Sequence, residues 1–197
     1  MVISENILLE NGGEIIKYQS SDFLFKKNSF AEYYLQIKKG NVKISVTNFG
    51  KEFLCGLPYE GVCIAEAYMF INEKYPFNAR AISDCEIIRL KKTKFHTLIK
   101  KHPSLLIDIY SHTAERAHYN NLMLPMLGIL SPLEKIVILL DYIKNIYTFG
   151  DKKNFIIPYT RQQLASLIGL RLETVVRTIK KMERLKLLTI LEGKIHY

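Results

Sequence analysis

The sequence predicts an α+β chain that begins with a β-roll, continues through a long helix, and ends with a helix-turn-helix and a β-hairpin. Two patterns carry this prediction. Residues 14–90 contain short β-branched and aromatic runs broken by turn residues, and many short strands at such spacing are typical of an all-β roll or barrel. From residue 103 onward, apolar residues recur at helical spacings of three and four. The predicted domains are therefore a roll over 1–102, a helix and hinge over 103–130, and a helical domain over 131–197.

Four runs in the roll show strand character most clearly. They are 14–18, 33–37, 42–46 and 85–90. Two turns are expected between neighbouring strands, at Lys39-Gly40-Asn41 and at 48–50. Glycine and asparagine favour these positions because they accept the backbone angles of tight turns.

A long helix is predicted over 103–129, since Pro103 suits the first turn of a helix and a stripe at helical spacing follows it. The stripe comprises Leu106, Ile109, Thr113, Arg116, Asn120, Met123 and Leu127. Its ends are apolar and its middle is polar. Either the helix lies on the core of its own domain, or it pairs with its twin in a homodimer and the polar residues set the register. Pro125 is expected to kink or end the helix.

A second helix over 133–146 follows a domain boundary near 128–131, and a helix-turn-helix comes after it. Thr160 and Gln163 form a capping box, in which each side chain satisfies a backbone N–H at the start of a helix. Gly169 is expected to end that helix, because glycine adopts the left-handed conformation at little cost.

The second helix of this motif runs from about 172 to 185. The inner faces of the two helices are expected to comprise Leu164, Ala165, Ile168, Val175, Ile179 and Met182. A strand over 187–191, a turn at 192–194 and a returning strand at 195–197 then form a wing, so the motif is a winged helix-turn-helix.

The charge of the chain is concentrated in this last domain. The whole sequence carries 28 basic and 19 acidic side chains, a formal net charge of +9. Residues 132–197 hold 12 basic and 6 acidic side chains, and 171–186 hold six against two. A basic face on a helix-turn-helix predicts a polyanionic partner, with nucleic acid as the first candidate.

Glu173 and Arg177 lie four residues apart and share one face of the second helix. In the major groove of DNA, a carboxylate accepts from cytosine N4 and a guanidinium donates to guanine O6 and N7. The alternative is an ordinary surface ion pair. Contacts to phosphate, which position a protein without specifying sequence, are expected from Thr160, Arg161, Arg171, Thr174, Lys180 and Lys181.

These segments, in order and over nearly the whole chain, resemble the Crp/Fnr superfamily of bacterial transcription regulators. The matching segments are the entry strand 14–18, the glycine turn and strand 39–45, the phosphate-cassette start 61–67, the last roll strand 85–90, the dimerisation helix 103–129 and the recognition pattern Glu-x-x-x-Arg at 173–177. The resemblance implies a cyclic-nucleotide-binding-like β-roll and a homodimer. It also implies a near-palindromic operator in double-stranded DNA with half-sites about 34 Å apart, and RNA polymerase as a protein partner.

The recognition helix departs from its relatives at one position that reads bases. Leu172 stands where the cAMP receptor branch has an arginine. Leu172 is expected either to contact a thymine methyl group or to cover apolar surface. The retained Glu173 and Arg177 imply a half-site with a TGA-like core.

The cassette departs more strongly. Ala65-Glu66 replaces Gly-Glu, and Tyr75-Pro76-Phe77 occupies the region of the Arg-Ser/Thr pair that holds the cyclic phosphate in cAMP-binding relatives. Burying a phosphate without such partners carries a large desolvation cost, so cAMP is not expected to be the effector. The candidate effector pocket comprises Glu66, Phe70, Tyr75 and Phe77. It either takes another small ligand or is filled by its own side chains.

The sequence assigns no cofactor and no metal. Three cysteines are too few for a four-cysteine iron–sulfur cluster. Haem is a further alternative, and its candidate axial ligands are Cys63, His96, His102, His112 and His118.

Other functional classes are disfavoured. No apolar run approaches the roughly 20 residues of a membrane helix, residues 1–11 lack a basic signal region, and an odd number of cysteines is typical of reduced thiols in the cytosol. No catalytic triad, metal motif or phosphate-binding glycine loop indicates an enzyme. The remaining alternative is a sensor module, of the cyclic-nucleotide or haem type, whose basic C-terminal domain binds a protein or RNA.

Overall fold

The computed structural model describes residues 1–48, 51–124, 131–148 and 155–197. Contacts within the chain divide it into two compact units, Met1–Tyr119 and Asn120–Tyr197. This division falls inside a long helix. The predicted hinge at 128–131 lies mostly outside the described residues, so the predicted domain bounds stay a prediction.

The first unit is a β-roll with helices before and after it. Its strands are β1 (Glu14–Tyr18), β2 (Phe23–Phe25), β3 (Tyr33–Lys39), β4 (Val42–Asn48), β5 (Lys51–Gly56), β6 (Cys63–Ile64), β7 (Asn78–Ala81) and β8 (Cys85–Lys91). Its helices are α1 (Glu5–Glu10), a 3₁₀ helix (Glu66–Met69), α2 (Lys92–Lys101) and α3 (Leu105–Met123). The strands form two four-stranded antiparallel sheets, in the orders β1-β8-β3-β6 and β2-β7-β4-β5. The predicted α+β class with an N-terminal roll is confirmed.

β3 occupies the centre of the first sheet and buries four consecutive residues, 34–37. The ring of Tyr34 stacks on Phe95 of α2 with 4.8 Å between centroids. The amide of Gln36, also fully buried, accepts from the Ile3 N–H at 2.9 Å and donates to the Ile3 carbonyl at 2.7 Å. The Tyr34 hydroxyl donates to the same amide oxygen at 2.7 Å. Gln36 therefore ties the N-terminal segment to the sheet by three buried hydrogen bonds.

The turn between β3 and β4 depends on Gly40. Its φ is +93°, and a Cβ there would lie 2.5 Å from the Asp84 carbonyl oxygen. Both the left-handed backbone and the close approach require glycine, and the turn predicted at 39–41 is confirmed. The second predicted turn includes residues 49 and 50, which lie outside the described residues.

The second unit contains α4 (Pro132–Thr148), α5 (Arg161–Leu167) and α6 (Leu172–Arg184), followed by β9 (Thr189–Leu191) and β10 (Lys194–His196). All six residues predicted on the inner faces of the helix-turn-helix are buried. β9 and β10 pair in antiparallel fashion, as predicted for a wing. The backbone at Phe155 exchanges two hydrogen bonds with Tyr197, so the chain before α5 extends this small sheet.

Three helix starts differ from the sequence prediction. α1 and α2 were not predicted: α1 has only six residues, and α2 begins directly after β8 without a capping side chain on Lys91. α3 begins at Leu105, and Pro103 lies in the turn before it rather than in its first turn. The start of α2 thus lacks a capping signal, whereas α1 has one at Ser4, whose hydroxyl accepts from the Ile7 N–H, and is too short to show a helical period.

Replacing Gln36 with alanine is expected to lower the free energy of unfolding by about 3 kcal/mol, because the buried N–H and carbonyl of Ile3 and the hydroxyl of Tyr34 lose their partner. Urea denaturation of the variant measures this loss. The matched control is Gln19→Ala, since the Gln19 side chain is exposed in the same unit. Equal losses in the two variants would contradict the role given to Gln36.

Candidate functional site

The first helix of the helix-turn-helix begins at a capping box. The Thr160 N–H donates to the Gln163 side chain at 2.8 Å, and the Gln163 N–H donates to the Thr160 hydroxyl at 3.2 Å. Beyond the end of α5, Gly169 adopts a φ of +66°. The predicted capping box and glycine turn are therefore confirmed, and together they fix where α5 ends and where α6 begins.

α6 has one buried face and one charged face. Val175, Thr178, Ile179 and Met182 are buried. Leu172, Glu173, Arg177, Lys180 and Lys181 are exposed. Because the apolar residues of the helix point into the unit, its charged residues are held at the surface in a fixed array.

Glu173 and Arg177 do not form the ion pair that was the alternative interpretation. Within the described part of the chain, no ion pair joins either of them to another side chain. The Glu173 carboxylate and the Arg177 guanidinium, one helical turn apart, are therefore both exposed to solvent.

The predicted phosphate contacts differ in their surroundings. Arg171 is exposed at the N-terminus of α6 and makes no side-chain capping bond there. Thr160 and Arg161 have structural contacts, since Thr160 caps α5 and Arg161 donates to the Gly193 carbonyl of the wing at 2.9 Å. Thr174 is half-buried, and its carbonyl accepts from the Thr178 hydroxyl at 2.7 Å.

The wing is fixed to the helices beside it. Glu183 of α6 accepts from the Ile190 N–H at 3.2 Å, and Tyr197 donates to Asp141 of α4 at 2.6 Å. The turn residues Glu192 and Gly193 both have positive φ, as a type I′ hairpin turn requires. The wing therefore has a defined position relative to α6.

In the first unit, Glu66 is a fully buried carboxylate. Its Oε1 accepts from the Thr113 hydroxyl at 2.6 Å and pairs with the Arg116 guanidinium at 2.7 Å, both from α3. Ala65, before it, has a φ of +53°, a conformation that favours glycine. The backbone at this position thus keeps the geometry that suits the Gly-Glu of the cassette pattern, although the residue is alanine.

Cys63 and His112 lie next to this carboxylate. One donor atom from each of Cys63, Glu66 and His112 falls within 4.8 Å of the other two. Burial and the neighbouring Glu66 raise the pKa of the Cys63 thiol well above its usual range. Burial lowers the pKa of His112 and thereby favours its neutral form, although the charge of Glu66 opposes this shift.

The four residues of the predicted effector pocket separate into different surroundings. Tyr75 stacks on Phe25 at 3.8 Å and lies 6.3 Å from Phe77, so these two rings belong to an aromatic cluster inside the roll. Phe70 is 48% exposed and contacts Phe95 edge-on. Glu66 faces α3 instead. The structure therefore does not gather the four into one cavity.

A cavity of about 660 Å³ lies between the 3₁₀ helix and α3. Its lining is Ala67, Phe70, Ile71, Leu106, Ile107, Ile109, Tyr110 and Thr113. Of the predicted pocket, only Phe70 contributes to this lining. The cavity is apolar apart from two hydroxyl groups, so it suits apolar groups rather than a phosphate.

The predicted α3 stripe faces its own roll in the middle of the helix. Ile109 is buried, and Thr113 and Arg116 contact Glu66. Leu106 is 39% exposed, whereas its neighbour Leu105 is buried and begins the inward face. Asn120 is exposed, the side chain of Met123 is not described, and Leu127 lies outside the described residues.

The candidate haem ligands are dispersed over the first unit. His96 lies edge-on to Phe70 and Phe95, while His102 and His118 are exposed. Only Cys63 and His112 come together, beside Glu66.

Two protein-family models match the chain. Residues 15–102 match the cyclic nucleotide-binding domain, and residues 136–196 match the Crp-like helix-turn-helix domain. The chain belongs to the Crp/Fnr family. This Crp/Fnr protein is accordingly a DNA-binding transcription regulator and not an enzyme.

Relatives of this Crp/Fnr chain share both domains. It is 28% identical over 172 residues to the cAMP-activated global transcriptional regulator CRP of Salmonella typhimurium, covering 86% of this chain and 82% of that protein. It is 24% identical over 189 residues to the nitrogen fixation regulation protein FixK of Bradyrhizobium diazoefficiens, covering 94% and 78%.

Solved structures show the same fold at lower identity. A CooA mutant from Carboxydothermus hydrogenoformans superposes with a TM-score of 0.84 at 13% identity, over 98% of this chain and 87% of that one. The c-di-GMP responsive regulator CLP of Xanthomonas campestris superposes with a TM-score of 0.77 at 20% identity, over 98% of both chains. Among the described residues, no helix of this family member has the length and apolar character to cross a membrane.

Sequence reasoning missed the contacts of Glu66 in this Crp/Fnr chain. It assigned Thr113 and Arg116 to a dimer stripe and Cys63 and His112 to a haem alternative. The polar middle of the stripe was a signal that something charged faces α3, but no spacing rule connects residue 66 to a helix 47 residues later.

Proposed function

We propose that this regulator acts as a homodimer that binds a near-palindromic operator, with α6 of each copy in the major groove. The observation that carries the proposal is the exposed Glu173 and Arg177 on one face of α6, without an ion-pair partner in the described chain. Arg177 reads a guanine and Glu173 the cytosine N4 of a TGA-like half-site. Leu172, 37% exposed at the start of α6, meets a thymine methyl group.

The surrounding charges supply the sequence-independent part of binding. Arg171, Lys180 and Lys181 contact phosphates, and each neutralised phosphate releases counterions and thereby favours binding. Thr160, Arg161 and Thr174 are the remaining proposed phosphate contacts. Because Thr160 caps α5 and Arg161 holds the wing, they also position the backbone against which the DNA rests.

The homodimer is supported by the exposed apolar face of α3. Ile107 is 69% and Tyr110 73% exposed, and both line the cavity with Phe70 and Ile71. A contiguous exposed apolar patch of this kind marks an interaction surface. A second copy of α3 covers it in the proposed dimer. The family resemblance adds RNA polymerase as the protein partner of the DNA-bound dimer.

The proposal includes no role for cAMP. Arg116 and Thr113 already hold the Glu66 oxygen that would meet a ribose hydroxyl. Arg80 of β7 is the arginine closest in sequence to residues 75–77. The buried residues of β7 are Ala79 and Ala81, so Arg80 lies on the opposite face of the strand. There it donates to the Ser21 carbonyl at 2.6 Å. A cyclic phosphate in the roll would therefore find no guanidinium on β7, and the Arg116 guanidinium from α3 is already paired with Glu66.

For base readout, Arg177→Ala is expected to cost about 1–3 kcal/mol on the selected operator and to flatten the preference at one base pair. Lys180→Ala is the matched control, because loss of a phosphate contact weakens all sequences alike and lowers the salt slope by about one. Fluorescence anisotropy on operator and random duplex, with salt titration, measures both. Equal losses on the two duplexes for Arg177→Ala would refute base readout.

For the dimer, Ile107→Glu is expected to shift the chain from dimer to monomer in sedimentation velocity, since a buried unpaired carboxylate opposes association. Ile82→Glu is the control, because Ile82 is 37% exposed but does not line the cavity. The control should stay dimeric. A monomeric unmodified chain, or an Ile107→Glu variant that still dimerises, would overturn this assignment.

For the effector, calorimetric titration of the full chain with cAMP is expected to show no binding at micromolar concentration. The physical reason is that the roll offers no guanidinium to a buried phosphate. Micromolar cAMP binding that disappears in Glu66→Ala would contradict this prediction and identify cAMP as the effector.

A further inference from the structure

We propose that Cys63, Glu66 and His112 form a binding site for a divalent transition-metal ion of the zinc class. Their three donor atoms, a sulfur, a carboxylate oxygen and a ring nitrogen, lie within 4.8 Å of one another. Thiolate, imidazole and carboxylate are the ligands that Zn²⁺ takes in proteins. Two ligands of a tetrahedral Zn²⁺ lie roughly 3.3–3.7 Å apart, given bonds of about 2.0–2.3 Å, so small side-chain rotations complete the site.

Two buried polar atoms at this place have no hydrogen-bond partner among the described residues. They are Glu66 Oε2 and His112 Nε2. Glu66 is 1% exposed, and leaving a buried acceptor unsatisfied costs about 1–3 kcal/mol. Both atoms are lone-pair donors to a cation, and one ion between them satisfies both.

His112 contributes a buried ring nitrogen to this cluster. Its Nε2 has no hydrogen-bond partner among the described residues, and one of its ring nitrogens lies within 4.8 Å of the donor atoms of Cys63 and Glu66. A histidine that ligates a metal through one ring nitrogen is held in its tautomer by the hydrogen bond that the other nitrogen makes.

The charges around the site also accommodate a cation. Arg116 and Thr113 bind Glu66 Oε1 and leave Oε2 available. Ligating carboxylates are commonly hydrogen-bonded through their second oxygen. On binding, the Cys63 thiol loses its proton to solvent and Sγ coordinates as thiolate, so the ion meets two negative ligands while Arg116, 41% exposed, stays solvated.

The site joins three elements of the first unit. Cys63 belongs to β6, Glu66 starts the 3₁₀ helix and His112 belongs to α3. A bound ion would therefore fasten α3 to the cassette through three coordinate bonds, in addition to the Glu66–Arg116 pair. This inference concerns the first unit alone, and its test reads metal binding directly, so it stands or fails separately from the operator proposal.

The test uses the full chain after dialysis against a chelator, with Co²⁺ as a spectroscopic probe and Zn²⁺ as competitor. One equivalent of Co²⁺ per chain should give a thiolate-to-cobalt charge-transfer band that Zn²⁺ abolishes. Cys63→Ser should remove the band, and His112→Gln should weaken Co²⁺ binding by more than the roughly 10- to 100-fold that loss of an outer-shell partner costs. Zn²⁺ should raise the thermal midpoint of the unmodified chain and not that of His112→Gln.

The matched controls are Cys55→Ser and His102→Gln, which alter an exposed thiol and an exposed imidazole. Both should bind Co²⁺ as the unmodified chain does, and so should Cys85→Ser, whose thiol donates to backbone carbonyls elsewhere. Absence of the band in the unmodified chain overturns the proposal without reference to any variant. Loss of the band in Cys55→Ser or Cys85→Ser, or binding unchanged in His112→Gln, overturns it as well.

Discussion

The buried carboxylate of Glu66 is the constraint on which the first unit depends. Removing one partner from a buried ion pair costs about 3–5 kcal/mol, so a carboxylate inside the roll needs both a cation and hydrogen bonds. α3 supplies Arg116 and Thr113. The helix must therefore present this face to the 3₁₀ helix, and Ile107 and Tyr110 then remain largely exposed at the edge of the contact, where they line the cavity. One interaction inside the roll determines which apolar surface of α3 stays open.

The backbone before Glu66 is in an unfavourable conformation, so placing this carboxylate has a conformational free-energy cost. Ala65 holds a φ of +53°, and a left-handed conformation costs a residue with a Cβ roughly 1–2 kcal/mol. The sequence thus keeps the path of the cassette although its glycine is replaced. In this chain the cation beside Glu66 comes from α3, and Tyr75 belongs to an aromatic cluster with Phe25 and Phe77.

Local signals were sufficient to predict the second unit but not the site in the first. The capping box of Thr160 and Gln163 and the turn at Gly169 depend on residues three to nine positions apart, and all appear where predicted. The contact between Glu66 and Arg116 joins residues 50 positions apart and leaves no periodic trace in the sequence. The start of α2 also has no local signal in the sequence, because α2 follows β8 without an intervening turn and without a capping side chain.

Two Glu/Arg sets of the chain show why residue type and spacing alone do not identify a functional site. Glu173 and Arg177 are four apart on a helix, the spacing of an ordinary surface pair, yet in the described chain they are not paired and they face solvent. Glu66 and Arg116 are distant in sequence, yet they meet at 2.7 Å. In water an exposed pair gains at most about 1 kcal/mol, so Glu173 and Arg177 lose little by staying apart. An external partner that desolvates them gains far more from each, and for that reason Glu173 and Arg177 are suited to recognition. The pair formed by the buried Glu66 carboxylate and Arg116 is suited to holding α3.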